Sequence, residues 1–223
     1  MTAFTAILRK DLTLELRSGE STVALIALSL LIMVVIVFAL SQAGARGAEA
    51  AAGALWIALV FSGMIGATRA MAAERENGCI RGILASPVDR AALYAAKLAA
   101  AFIFMAIAET AAVILMVLFF NLEFDARLIR IIPILILGLA GFSAIATLLA
   151  ALSGRLRAGD LILPVLIVPL YVPALMAGVK SSGALLAGAD FSMVAPWLKI
   201  LVAFDILFIA AGCLLFEHVV GED

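Results

Sequence analysis

The chain has 223 residues, of which 66% are hydrophobic and 14% charged, with a formal net charge of −1 and a mean hydropathy of +1.23. Soluble domains run at about 45–50% apolar and about 25% charged, so a water-soluble enzyme is excluded, and the near-zero charge offers no field for nucleic acid. The only cysteines, Cys79 and Cys213, lie far apart without CxxC or Cys/His spacing, which excludes a zinc site or a disulfide framework. His218 is the single histidine, and a lone histidine at a helix end is ordinarily structural.

The first element predicted is an amphipathic helix over residues 2–17. Phe4, Ile7, Leu8, Leu12 and Leu16 share a broad face, and Arg9, Lys10, Thr13 and Arg17 share the opposite one. Such a helix lies on a leaflet with its basic residues toward lipid headgroups. Asp11 and Glu15, spaced i and i+4, fall inside the apolar arc. Carboxylates there suit a protein-facing groove better than lipid, so both are assigned to docking against a partner.

Runs of about 20 apolar residues read as membrane-crossing helices, and six follow, near 21–40, 53–71, 91–120, 129–153, 161–179 and 195–216. They leave no room for a separate soluble domain, so residues 1–223 form one transmembrane unit. The first run starts some twenty residues in, is too long for a signal-peptide core and lacks a small-residue exit, so it is expected to be a retained span.

Between spans two and three lies a charged island, 74–90. It opens with Glu74, Glu76 and Gly78, carries Ile80, Ile83 and Leu84 on one helical face, and reaches Arg90. Ser86-Pro87-Val88-Asp89 reads as a helix start, with serine as cap, proline in the first turn and the acid closing a capping box. The run from Pro87 to Phe120 would be about 51 Å long at about 1.5 Å per residue, against a hydrocarbon core of about 30 Å. Span three therefore has to project, tilt or break.

Charge bias sets the orientation. Ten of the fifteen Lys and Arg residues lie before span one, around the 2–3 loop and in the 4–5 loop, and five on the other side. Both termini and the island are thus expected in the cytoplasm. A membrane-impermeant thiol reagent added to intact cells is expected to leave Cys79 unlabelled; labelling from outside would reverse the topology.

Two acids fall inside spans, Glu109 in the third and Asp205 in the sixth. A charge at bilayer depth costs at least about 2.5–3.5 kcal/mol on insertion scales, so each must face protein or water. Either they are buried hydrogen-bonding groups or they belong to a substrate path or a conformational switch. Span five carries Pro164, Pro169 and Pro173. Membranes tolerate such prolines, and the helix is either a kinked structural element or a bent, pathway-lining hinge. Gly138, Gly141 and Ser143 in span four permit close helix packing.

No phosphate-binding P-loop, nucleophile elbow or zincin motif is present, and no Cys or His set could ligate haem iron unless His218 acted alone. The chain is therefore read as a permease without an engine, not as an enzyme, and the island is the place where an external motor would push.

Glu74-x-Glu76-x-Gly78, Ser86-Pro87-Val88-x-Arg90 and Lys97 resemble the cytoplasmic loop of ABC-2-type transporter permeases. Combined with Leu8-Arg9-Lys10-Asp11-Leu12, Glu15-Leu16-Arg17, Leu55-Trp56 and the Leu163-Pro164, Pro169-Leu170 and Pro173 run, the pattern is similar over nearly the whole length to the haem exporter protein B family, CcmB, of cytochrome c maturation. The resemblance implies an all-α, six-span ABC-2-type permease in the bacterial inner membrane, preceded by an interfacial helix. It implies pairing with the ATPase subunit CcmA, which uses the ATP, and assembly with CcmC and CcmD. It also implies that hydrolysis drives release of the haem-loaded chaperone CcmE, with haem handled by the complex and no cofactor held by this chain. Glu74, Glu76 and Gly78 would then belong to the ATPase-coupling segment, with Ile80, Ile83 and Leu84 seated in a groove on the motor. Two motor sites imply two copies by analogy. An ABC-2-type permease for a lipid, polysaccharide or drug, and a non-transporting scaffold, are the alternatives.

Overall fold

A computed structural model of the chain describes residues 3–42, 47–76, 89–153 and 159–221. Seven helices and no strand occur among the described residues: α1 (Ala3–Ser18), α2 (Glu20–Gln42), α3 (Ala48–Glu76), α4 (Arg90–Phe120), α5 (Ala126–Ser153), α6 (Gly159–Leu186) and α7 (Phe191–Gly221). Helices α2 to α7 are each long and apolar enough to cross a membrane, over Thr22–Leu40, Ala48–Thr68, Arg90–Phe120, Ala126–Leu152, Leu163–Leu186 and Phe191–Phe216. The chain is an all-helical, multi-pass membrane protein.

Helices α3, α5 and α6 pack mutually at the centre, α7 lies against α4, α5 and α6, and α2 lies outside against α3 and α4. Helix α1 packs on α4 and touches α2. The large shapes of the core are few. The indole of Trp56 on α3 is fully buried, and its Nε1–H donates to Ser182 Oγ on α6 at 3.1 Å. A Cβ at Gly138 on α5 or at Gly178 on α6 would run into that ring, so the two glycines form the walls of its slot. Gly138 thus takes its part in the close packing read from span four by bordering one large side chain, while Gly141 faces Asp205 and Phe204.

Beyond the longer α3 and α7, which run over Ala48–Glu76 and Phe191–Gly221 against the 53–71 and 195–216 read from the sequence, two helix ends differ. Helix α4 begins at Arg90, and its cap is Asp89, whose φ of −59° and ψ of 125° are non-helical. The Asp89 carboxylate accepts the N–H of Ala91 at 3.2 Å. A residue with that ψ cannot sit inside a helix, so the helix expected to run from Pro87 through Asp89 instead begins at Arg90. Ser86, Pro87 and Val88 themselves lie outside the described residues. At 31 residues α4 is still about 46 Å long. The other difference is in α6, which runs unbroken to Leu186 and carries Lys180 within it.

Pro164, Pro169 and Pro173 all lie inside α6. The buried face of that helix is Leu163, Ile167, Tyr171, Ala174 and Ala177. Pro169 and Pro173 are exposed and Pro164 is half-buried. Two of the three thus face outward from the bundle of this chain.

Candidate functional site

The face of α1 that meets the bundle is the one on which the acids fall. Ile7 is 8% exposed and joins a small core with Leu93, Tyr94 and Ala96 of α4, Leu148 of α5 and Phe216 of α7. One turn on, Asp11 Oδ2 lies 2.9 Å from Lys97 Nζ of α4, and its Oδ1 lies 3.0 Å from Lys10 Nζ. Another turn on, Glu15 Oε1 accepts from the backbone N–H of Thr22 at 2.8 Å and from its hydroxyl at 3.0 Å. The opposite face, Thr5, Arg9 and Thr13, is exposed. The protein-facing character read from Asp11 and Glu15 is realised within the chain.

Tyr94 organises this end. Its ring is fully buried, its hydroxyl sits between the carbonyls of Ala144 on α5 (3.1 Å) and Phe208 on α7 (3.4 Å), and it packs on Phe216 at 5.4 Å between centroids. A Cβ at Gly212 would strike the ring, so α7 carries a glycine where the tyrosine crosses it. The first two turns of α4 are thus held by an ion pair to α1 and by a shared hydroxyl to α5 and α7. Arg90 is half-buried at the start of the same helix. Glu74 and Glu76 stand in the last turn of α3, whereas Gly78, Ile80, Ile83 and Leu84 lie outside the described residues.

Deeper in the bundle, Glu109 of α4 is 4% exposed and Asp205 of α7 is 7% exposed. Glu109 Oε1 and Asp205 Oδ1 are buried with no hydrogen-bond partner, as is Ser29 Oγ on α2. Both carboxyls lie within electrostatic reach of Tyr171 on α6, which is fully enclosed. The Tyr171 hydroxyl is committed to the carbonyl of Gly138 at 2.8 Å, and its ring meets Phe142 and Phe204 edge-on, at 5.1 and 5.7 Å. Asp205 approaches α5 at Gly141, where an added Cβ would stand 2.5 Å from Oδ1. The two in-span acids, on different helices in the sequence, thus act electrostatically on the same tyrosine. Among the described residues no three His, Cys, Asp or Glu side chains form a group that could hold a metal ion.

Sequence reasoning passed over Tyr94 and Tyr171. They are the only tyrosines in the chain, and both send their hydroxyls to carbonyls of α5. A hydroxyl in an apolar span needs an acceptor, and that scarcity was the available signal.

The family model described as CcmB protein matches residues 2–220. The chain is 27% identical over 212 residues to the heme exporter protein B of Bradyrhizobium diazoefficiens, covering 95% of this chain and 94% of that protein. It is 29% identical over 175 residues to that of Rhodobacter capsulatus, covering 78% and 80%. To that of Pseudomonas aeruginosa it is 32% identical over 168 residues, covering 72% and 73%.

Proposed function

Because the chain belongs to the CcmB family, we propose that it is the membrane subunit of a haem-export or cytochrome c maturation transporter, one that turns ATP hydrolysis by a partner subunit into release of a haem-loaded chaperone. The partners expected are the ATPase CcmA, CcmC, CcmD and the chaperone CcmE, with two copies of this chain in the inner membrane and both termini in the cytoplasm. Haem is cargo of the complex in this reading.

One observation supports the coupling role above the others: the anchoring of the first two turns of α4. Helix α4 begins at Arg90, directly after the segment assigned to the motor. Within seven residues it is tied to α1 through Lys97 and to α5 and α7 through Tyr94. A load applied before Asp89 is therefore delivered to three helices at once and not dissipated in a loose end. Asp89 caps the helix, so the load enters α4 at an end whose first turn is hydrogen-bonded. Glu74 and Glu76 set register with basic groups on the motor; exposed pairs contribute only about 0–1 kcal/mol each, so recognition rests on several of them together. Reversing both to lysine is expected to reduce ATPase co-purification or to uncouple hydrolysis from chaperone release. Normal cytochrome c maturation in the doubly reversed variant would refute the assignment.

A further inference from the structure

Helix α1 makes three different contacts along one line of its surface, at positions 7, 11 and 15, the i, i+4 spacing that stacks side chains on one face. Ile7 is an apolar contact to the start of α4, Asp11 an ionic contact to Lys97, and Glu15 caps the first turn of α2. Asp11 and Lys97 are 14% and 17% exposed, so the pair is partly withdrawn from water, where Coulomb attraction is screened less. Glu15 places a carboxylate at the amino end of α2, where the free N–H groups and the helix dipole favour negative charge.

The junction between α1 and α2 is a single residue. Gly19 has φ +63° and donates its N–H to Glu15 O at 2.7 Å, and Val23 N–H in turn donates to Gly19 O at 2.9 Å. A one-residue left-handed turn, closed by backbone bonds on both sides and by Glu15 across it, allows little independent motion between the two helices. Helix α1 is therefore fixed to α2 at one end and to α4 through its middle.

We propose that α1 is a strut that locks α2 to α4 beyond their direct packing, and that Asp11, Lys97 and Glu15 are its positioning residues. This rests on the reading that the load enters at the start of α4. Displacement of Arg90 carries Lys97; Lys97 carries Asp11; α1 carries Thr22 through Glu15. Helix α2 then follows α4, so the stroke reaches a helix that touches neither α5 nor α6 extensively. An amphipathic anchor lying on lipid would need only its apolar arc. The two acids in that arc are what a strut requires and an anchor does not.

The test uses the assembled complex with its ATPase in lipid nanodiscs. Four forms are compared: unsubstituted, Asp11→Lys, Lys97→Asp, and the charge-swapped double variant. Chaperone released per ATP hydrolysed is one readout. The other is the distance distribution between spin labels on exposed positions, Arg9→Cys on α1 and Ile107→Cys on α4. Each single reversal is expected to lower release per ATP about fivefold, at the lower end of couplings between sites, and to broaden the label distances. The swap is expected to restore both. Single variants with unchanged distances and unchanged coupling overturn the strut, as does a swap no better than the singles. If the unsubstituted chain fails to retain an ATPase, the proposed function fails instead, while the label distances still decide whether the Asp11–Lys97 contact holds α1 to α4.

Discussion

Trp56→Ala is expected to destabilise the folded bundle by about 3–5 kcal/mol, the range for truncating a large buried aromatic. Among single substitutions it should come near to unfolding the chain outright, because whole proteins are stable by only about 5–15 kcal/mol. The indole is fully enclosed, so its removal leaves a cavity between α3, α5 and α6. It also strips Ser182 Oγ of its donor. In lipid the loss is one of packing and hydrogen bonding, since hydrocarbon tails solvate an apolar ring as well as the core does. The slot can be tested from its other side. Gly138→Ala or Gly178→Ala places a methyl group into the ring, and overpacking of this kind costs about 1–3 kcal/mol. Trp56→Phe shortens the ring, so Gly138→Ala combined with Trp56→Phe is expected to be less unstable than the sum of the two, the non-additivity of residues that share a cavity. Denaturant titration of the purified protein in detergent, followed by helical circular dichroism, reads all five forms. Strict additivity would show that the glycine and the indole do not meet.

How far this arrangement could be read in advance depends on the range over which each signal acts. The spans announce themselves because about twenty apolar residues in a row have few other uses. The inward acids of α1 could be placed on a face from helical spacing alone, but not their partners, since Lys97 lies on another helix 86 positions away and nothing local marks it. At the start of α4 the chemistry was legible and the position was not. Ser86 and Asp89 are both good caps, and tertiary context decides between them; the backbone turns at Asp89. Gly138 read as a generic small residue because the ring that needs it sits on α3, 82 positions distant, and nothing local marks Gly178, 122 positions from the same ring. Glu109 and Asp205 stood out as charges in apolar spans, while their shared electrostatic reach to Tyr171 is a product of the fold. Local rules therefore reached element type and face, and the pairing of faces came only with the packed bundle.

Those two acids carry the second large effect, and its sign is informative. A buried acceptor left without a partner costs about 1–3 kcal/mol, and Glu109 Oε1 and Asp205 Oδ1 are both in that condition. Glu109→Met keeps an unbranched side chain of similar length and removes the orphan oxygens, so it is expected to stabilise the bundle by about that amount. Asp205→Asn keeps the shape and supplies an N–H donor; its gain is expected to be smaller, because the amide oxygen remains an acceptor in the same buried place beside Gly141. Glu109→Lys is the opposite extreme. It puts an unpaired ammonium group into the same closed space, where a charge costs at least about 2.5–3.5 kcal/mol, and it is expected to abolish folding. Groups retained against stability in the interior are commonly the functional ones. The Glu109→Met and Asp205→Asn forms are therefore expected to be at least as stable as the unsubstituted chain in thermal unfolding, yet slower in supporting cytochrome c maturation. A stability loss in Glu109→Met would mean that the carboxyl finds a partner beyond this chain, in a bound water or a second copy. Greater stability with full maturation would mean that the acid is dispensable. Only a gain in stability joined to a loss of maturation assigns Glu109 a working role in the membrane, where the third span that begins at Arg90 would deliver its motion.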